Sequence, residues 1–209
     1  MSMYLYTVEK ELSSNYTMDD IQELNKLMTN SDNVHHLLGK LFNVDKEENF
    51  RSKYNILYKV DTTTTFKLIV KSDIPMNKKS AAENKIKILS ENEIHIGSNE
   101  ELTININVAP FRKDGGQKTK RIIKTTNDRI AWLTNKLTHN NECEVKSISE
   151  ISQVMNYMEH KDKTKGVSML TGYRYNICVV VKDPTGFTEL VQKGIGPQKS
   201  YGFGLMEIA

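Results

Sequence analysis

The sequence has few of the residues that mark a metal, redox or membrane protein. Only two of its 209 residues are cysteine, and the spacing of Cys143 and Cys178 fits neither a metal site nor a redox motif. No apolar run is long enough to span a bilayer, and the first ten residues lack the basic and then apolar plan of a secretion signal. No cluster of carboxylates suggests a metal centre. We therefore expect a cytoplasmic protein with no membrane role and without a metal or another cofactor.

Positive charge is in small excess and is unevenly distributed. The formal net charge is only +3, which is too small to identify a nucleic-acid partner by itself. Residues 112–124 nevertheless contain a single acidic residue, Asp114, among six cations: Arg112, Lys113, Lys118, Lys120, Arg121 and Lys124. Such a cluster is typical of a surface that binds a polyanion, although a solvated loop explains the charges equally well.

Hydrophobic periodicity predicts an α+β first half. Two amphipathic helices follow an opening strand. Thr17 is placed to cap the first helix, with Asp20 three residues on, and Ser31 or Asp32 is placed to cap the second. The second helix carries an apolar stripe from Val34 to Phe42. Strands are predicted at residues 3–8, 54–60, 65–71 and 85–89.

The second half begins after a break near residues 96–101. In the basic segment, Asp114-Gly115-Gly116 is predicted to form the tip of a hairpin. A helix capped by Asn127 or Asp128 follows, with Trp132 predicted to lie in the core. The last helix begins at Asp183-Pro184 and ends at Gly194. Strands are predicted at residues 102–108, 144–148, 173–181 and 203–208.

A glycine-rich basic loop follows the last helix. It reads GIGPQKSYGFGL, and it places Lys199 and Ser200 among glycines that expose backbone amides. Such a loop is suited to binding phosphate. On composition alone, a glycine-rich turn before a final strand is the simpler interpretation.

These segments, taken in order, resemble a known family. NVHHLLGKLF, INVAPFRK, RIAWLTNKL and ELVQKGIGPQKSYGFGL together are similar to the CRISPR repeat-RNA endoribonucleases of the CasE type, the crRNA-processing subunit of the type I-E Cascade complex. The tail pattern GIGPxKSxGxGL is the most specific part. The resemblance implies two tandem ferredoxin-like (RRM-like) domains, at residues 1–97 and 98–209, with CRISPR repeat RNA and other Cascade subunits as partners.

Histidine is the first candidate for catalysis, because its ordinary pKa lies near neutrality. On the second helix His35 borders the apolar stripe, whereas His36 points towards solvent. On that ground alone, His35 is an ordinary boundary residue. The resemblance implies that His35 is catalytic, since it begins an HxxLxxLF motif; a register slip of one residue would favour His36.

One position departs from the family pattern. The family often has a tyrosine three residues before the catalytic histidine, and here that position is Asp32. An aspartate at a helix start is suited to capping, and near His35 it would raise the pKa of the imidazole. Either Tyr16 or another aromatic residue replaces the tyrosine, or the site works with His35 and cations.

The implied reaction is metal-independent RNA cleavage by the substrate's own 2′-hydroxyl. His35 would act as general base or as general acid, and Lys199, Ser200 and the loop amides would stabilise charge on the phosphate. The products would be a 2′,3′-cyclic phosphate and a 5′-hydroxyl. Six residues are predicted to bind RNA, the arginines through bases or phosphates and the lysines through phosphates: Arg112, Lys113, Lys118, Lys120, Arg121 and Gln198.

Two alternatives remain open from the sequence. A non-cleaving RNA-binding subunit would keep the same fold and RNA contacts. A phosphate-ligand or protein-interaction module would use the glycine-rich loop for another purpose.

Overall fold

Two four-stranded sheets form the framework of the part of the chain that the structure describes. The computed structural model describes residues 2–11, 17–61, 66–113, 120–159 and 166–208. The chain divides into two compact units, each built from more than one stretch of sequence. The first unit contains Met1–Ile94, Asn156–Met169 and Ser200–Gly202, and the second contains His95–Met155, Leu170–Lys199 and Phe203–Ala209.

The first unit has the βαββαβ order of a ferredoxin-like fold. Its strands are β1 Tyr4–Lys10, β2 Leu57–Asp61, β3 Lys67–Ser72 and β4 Ile86–Glu93, and its helices are α1 Met18–Thr29, α2 Ser31–Leu41, α3 Phe50–Lys53 and α4 Lys78–Glu83. The sheet order is β2-β3-β1-β4, and β1 pairs antiparallel with both β3 and β4. Buried side chains of α2, among them Val34, Leu38 and Leu41, pack in one core with Tyr6, Leu68 and Val70 of the sheet.

The second unit repeats this arrangement. Its strands are β5 Glu101–Val108, β8 Cys143–Glu159, β9 Val167–Val181 and β10 Met206–Ile208, in the order β10-β5-β9-β8. Its helices are α5 Thr126–Leu137 and α6 Pro184–Lys193, and a separate two-stranded sheet is formed by β6 Phe111–Lys113 and β7 Lys120–Ile122. The prediction of an α+β protein with two ferredoxin-like domains is therefore confirmed.

Local signals located some helix ends correctly. Thr17 and Asp20 form a reciprocal capping box at α1, while Asp183 caps α6 and Gly194 ends it. The other two cap predictions are wrong. Asn30 caps α2 in place of Ser31 or Asp32, because the Asn30 side chain accepts from the Asp32 N–H. Thr125 likewise caps α5 in place of Asn127 or Asp128 by accepting from the Asp128 N–H.

Strand lengths differ more from the predictions. β8 and β9 extend well beyond the predicted residues 144–148 and 173–181. The prediction for β8 stopped short because much of that strand is exposed and carries no apolar alternation. The final strand begins at Met206 instead of residue 203, because Gly204 has a φ of +83°, outside the extended range of a strand. The predicted hairpin tip, Asp114-Gly115-Gly116, lies outside the described residues.

None of the helices in the described ranges combines the length and apolar composition needed to cross a membrane.

Candidate functional site

Helix α2 places His35 at the edge of the first core. Val34, Leu38 and Leu41 on its apolar face are almost completely buried, whereas His36 is exposed. The His35 side chain lies between these extremes, at 24% exposure. The two histidines therefore have the orientations predicted from helix geometry, and His35 is the one that meets the interior of the unit.

Three groups contact the His35 ring. The Nε2 atom lies 2.8 Å from the carbonyl oxygen of Ser200 and is also in contact with the Nη1 of Arg51. The Nδ1 atom lies 3.7 Å from the Oδ1 of Asp32. Because a guanidinium only donates, Nε2 accepts from Arg51 when its lone pair is free, and the ring proton then sits on Nδ1, facing Asp32. The other tautomer donates from Nε2 to the Ser200 carbonyl.

Tyr58 forms the wall behind His35. It lies in β2, is 1% exposed, and its ring meets the imidazole edge to face, with centroids 5.9 Å apart. Its hydroxyl donates to the Ser200 carbonyl oxygen at 2.8 Å. The Arg51 guanidinium lies 5.8 Å from the centre of the same ring. Tyr58 thus contacts the imidazole, the guanidinium and the Ser200 backbone together.

The segment Ser200–Gly202 is fixed by side chains of the first unit. Besides the bond from Tyr58, the Asn156 side-chain amide donates to the Tyr201 carbonyl. A Cβ on Gly202 would lie 3.2 Å from that amide nitrogen and 3.5 Å from the Tyr58 ring, so a larger residue would crowd both. The main chain at Ser200 is therefore held against the His35 ring.

Burial and a neighbouring cation keep His35 neutral. Burial lowers the pKa of His35 to about 4, with a further contribution from the Arg51 charge, against the smaller opposite effects of the Ser200 carbonyl and Asp32. Asp32 does act in the direction predicted from the sequence, but it is outweighed. Burial also lowers the pKa of Arg51 and raises that of Tyr58. At neutral pH the site therefore holds a neutral imidazole, a cationic guanidinium and a protonated phenol.

Sequence reasoning missed Arg51 and Tyr58. Arg51 lies in the four-residue helix α3, which is too short for a periodic signal, and its Nε is buried without a hydrogen-bond partner among the described residues. Tyr58 reads as an ordinary core residue of a strand. It supplies an aromatic group beside His35, which the sequence left open; the other candidate, Tyr16, lies outside the described residues.

The glycine-rich loop is pinned within the second unit. The Ile195 N–H donates to Gly204, and the Gly204 N–H donates to Asn107 at 2.7 Å. Gly204 has a φ of +83°, and a Cβ there would lie 2.5 Å from the Ile195 oxygen, so only glycine fits. Lys199 donates from Nζ to the Lys193 carbonyl at 2.5 Å, and burial lowers its pKa.

The predicted site residues thus have different environments. Ser200 reaches His35 through its main-chain carbonyl, and Lys199 binds the C-terminal end of α6. Gln198 has a positive φ and a buried Oε1 without a hydrogen-bond partner in the described chain. The catalytic and RNA-binding roles assigned to these residues stay predictions.

The basic hairpin pairs cations with cations. Its register places Arg112 opposite Arg121 and Lys113 opposite Lys120. Lys118 lies outside the described residues. Within the described ranges, no group of three or more His, Cys, Asp or Glu residues could hold a metal ion.

Solved structures share the fold over the full chain. Thermus thermophilus Cse3 bound to an RNA representing a pre-cleavage complex superposes with a TM-score of 0.78 at 14% identity, covering 100% of both chains. The CRISPR-associated protein Cas6e from Escherichia coli K-12 has a TM-score of 0.68 at 19% identity and covers 99% of this chain and 98% of its own.

Sequence similarity points to the same group of proteins. The CRISPR system Cascade subunit CasE of Escherichia coli K12 is 32% identical over 82 residues, a match that spans only 39% of each protein. The model of the CRISPR associated protein family matches residues 3–209. The chain therefore belongs to the CRISPR associated protein family.

Proposed function

We propose that this protein is a CasE-type endoribonuclease that recognises the CRISPR repeat stem-loop and cleaves precursor crRNA without a metal ion. It leaves a 2′,3′-cyclic phosphate and a 5′-hydroxyl, remains on the mature crRNA as a Cascade subunit, and works in the cytoplasm. The observation that carries this proposal is the neutral, half-buried His35 held between Arg51 and the Ser200 carbonyl, in a chain of a CRISPR family.

A neutral imidazole suits the general-base role. Nε2 of His35 accepts the proton of the 2′-hydroxyl, the 2′-oxygen attacks the adjacent phosphorus, and the bond from phosphorus to the 5′-oxygen breaks. The departing 5′-oxygen then takes up a proton from a donor in the site or from water. Positioned acid–base catalysis of this kind contributes about 10² to 10⁴ in rate.

Arg51 must move for this reaction to begin. Its Nη1 donates a hydrogen bond to the same Nε2 atom of His35 that would accept the 2′-hydroxyl proton. A phosphate oxygen is a stronger partner for a guanidinium than a neutral imidazole is, because the bond is assisted by both charges. The scissile phosphate therefore draws Arg51 away from His35 and is itself stabilised as negative charge grows on it. Lys199, Ser200 and the loop amides are proposed to assist in the same way.

The basic hairpin is proposed to bind the repeat stem. The register that places Arg112 opposite Arg121 concentrates positive charge in one short hairpin, which suits the binding of a polyanion. Arg112 and Arg121 are assigned to base contact or positioning, and Lys113, Lys118 and Lys120 to phosphates. Gln198 is assigned to the RNA beside the glycine-rich loop. Duplex RNA is read largely by shape, which fits a stem-loop substrate.

Cleavage of a labelled CRISPR repeat hairpin in EDTA tests the proposal. The natural hairpin should be cut, and one with a 2′-deoxy nucleotide before the cleavage site should not. The variant His35→Ala should lose cutting by at least about a hundredfold with nearly unchanged RNA affinity, while His36→Ala, the exposed neighbour, should cut normally. A requirement for a divalent metal, or full activity of His35→Ala, would refute the mechanism.

The same assay separates a second candidate function. The lone pair of Nε2 is already engaged by Arg51, and Asp32 stands where a tyrosine is frequent, which favours a non-cleaving RNA-binding subunit. That function predicts tight binding of the hairpin with no cutting at any pH. Absence of hairpin binding would instead indicate the third function, a phosphate-ligand or protein-interaction module.

A further inference from the structure

The second unit contains a cavity that the proposed reaction does not use. Its volume is about 460 Å³, which lies within the range of small-ligand sites. Side chains of β6, α5 and α6 form its walls together with the start of the glycine-rich loop. The lining includes Phe111, Trp132, Lys136, Leu190, Gly196 and Pro197.

Trp132 lines this cavity instead of the core, so the sequence-based prediction for Trp132 is wrong. Leu133 and Leu137 of the same helix are completely buried, whereas Trp132 is only half-buried. Successive helix residues differ in direction by about 100°, so Trp132 points away from the core that Leu133 fills. Lys136 lies one turn further along and shares the face of Trp132.

The glycine-rich loop is shaped around the indole ring. A Cβ on Gly196 would lie 3.1 Å from the Cη2 of Trp132 and 3.7 Å from its Cζ2. Glycine therefore lets the loop backbone approach the edge of the indole, and a side chain would fill the space beside it. Ile195, which precedes Gly196, is buried and fixed by its hydrogen bond to Gly204.

The lining combines two aromatic side chains, one lysine and the main chain at Gly196. Aromatic rings stack on any nucleobase and need no particular sequence, and a nearby lysine binds the phosphate of the same nucleotide. Lys136 makes no ion pair with any residue that the structure describes, so its charge is available for such a phosphate. The chemistry therefore fits a nucleotide better than a purely apolar ligand.

The cavity also adjoins the surface assigned to RNA. Phe111 is the first residue of β6 and is followed directly by Arg112, and its partner across the hairpin, Ile122, follows Arg121. The base of the basic hairpin is therefore also a wall of the cavity. A polynucleotide bound along the hairpin that continues past its base reaches the mouth of the cavity.

We propose that this cavity binds an unpaired nucleotide flanking the repeat stem, with its base stacked against Trp132 and its phosphate at Lys136. The inference rests on the proposed function, because it requires that the hairpin bind RNA. It adds a single-strand subsite to a surface that would otherwise read only the shape of a duplex, so the protein distinguishes a stem with the correct flank from a bare stem.

Intrinsic fluorescence tests this directly, because Trp132 is the only tryptophan in the sequence. The intact protein is titrated with 2′-deoxy repeat hairpins that cannot be cut: a bare stem, and stems with four unpaired nucleotides on the 5′ or the 3′ side. Stacking quenches indole emission. We expect one extended RNA to quench Trp132 strongly and the bare stem to leave its emission nearly unchanged.

Affinity measurements with variants complete the test. Trp132→Leu should lower the affinity for the RNA that quenches Trp132 by about tenfold or more and leave the affinity for the bare stem unchanged. Trp132→Phe should retain part of the higher affinity for the extended RNA. Lys136→Gln should also lower affinity for the extended RNA alone. Thermal unfolding of each variant shows whether the fold is kept, and the fluorescence of the unchanged protein needs no variant.

The outcomes are distinct from those of the cleavage test. If all three RNAs bind with equal affinity and unchanged emission, the subsite is refuted and the proposed endoribonuclease function stands. If emission changes only when another protein binds, the cavity is a protein-docking site and the inference is also refuted. If no repeat RNA binds at all, both this inference and the proposed function fail.

Discussion

At the residue scale, the local environment of His35 determines its charge. Its Nε2 has two incompatible partners, the Arg51 guanidinium and the Ser200 carbonyl, and the choice between them is a choice of tautomer. Asp32, 3.7 Å from Nδ1, favours a proton on that nitrogen and so favours the tautomer whose Nε2 can accept. Asp32 therefore orients the ring, although it stands where the family often has an aromatic residue.

The lowered pKa of His35 predicts acid sensitivity of the free protein. The unfolded chain has an ordinary histidine pKa near 6.5, and the folded value is about 4. Between these pH values the unfolded state binds a proton that the folded state does not, so the free energy of unfolding falls as the pH is lowered through this window. The maximum loss from this group is about 3 kcal/mol.

Urea unfolding at pH 7, 5.5 and 4.5 measures this effect. His35→Gln removes the titrating group, so its unfolding free energy should fall less over this range than that of the unchanged protein. His36→Gln, which alters an exposed histidine, should follow the unchanged protein. Parallel curves for all three proteins would show that His35 titrates normally.

At the element scale, the sequence predicted those helix ends that depend on residues close together in the chain. The capping box of α1 and the proline and glycine at the ends of α6 are complete within a few residues, so they were recognised. The short helices α3 and α4 were not predicted, because four and six residues contain too few turns for an apolar stripe to appear. The far end of β8 was missed because most of its described residues beyond 148 are exposed and need no alternation. The start of β9 was missed because Met169 and Leu170 are adjacent and stand between polar residues, which gives no run of alternating apolar positions.

The candidate site was predictable only in part for the same reason. His35 stood out through helix geometry and a family motif that lie within eight residues. Arg51 and Tyr58 reach His35 only through the packing of α3 and β2 against α2, and Ser200 reaches it across 165 residues of sequence. No local pattern contains these contacts, so only the folded structure reveals them.

Gly172 in strand β9 has no room for a side chain. A Cβ on Gly172 would lie 2.2 Å from the Phe203 ring and 2.7 Å from the Val108 carbonyl oxygen, and Phe203 is fully buried. Gly172→Ala should therefore lower the unfolding free energy by about 1 to 3 kcal/mol. The measurement is chemical denaturation of the purified variant against the unchanged protein.

Gly97→Ala is the matched control for this substitution. Gly97 is exposed, and the nearest atom to its added Cβ is the end of the Glu100 side chain at 3.4 Å. Its unfolding free energy should stay within about 0.5 kcal/mol of the unchanged value. Equal effects at the two positions would mean that β9 and Phe203 separate easily to admit a methyl group.

At the scale of the whole molecule, a net charge of only +3 means that RNA affinity depends on where the cations lie. If the hairpin binds phosphates, log affinity for the repeat stem should fall linearly with log salt. Lys120→Gln should reduce the magnitude of that slope by about 1, as expected for loss of one phosphate contact.

Lys79→Gln removes the same charge from an exposed position of α4 and serves as the control. Its salt slope should equal that of the unchanged protein. A reduction equal to that of Lys120→Gln would show that the RNA responds to total charge and not to the hairpin. Filter binding or fluorescence anisotropy at several salt concentrations gives both slopes.

The discontinuous first unit has a consequence for biosynthesis. Residues 1–94 leave the ribosome well before Asn156–Met169 and Ser200–Gly202, which belong to the same unit. A nascent chain that has made only its first hundred residues carries His35, Arg51 and Tyr58 but lacks the Ser200 carbonyl that two of them contact. The imidazole therefore acquires its complete surroundings only during the last steps of translation, and a gene fragment encoding the first unit's leading segment cannot supply them.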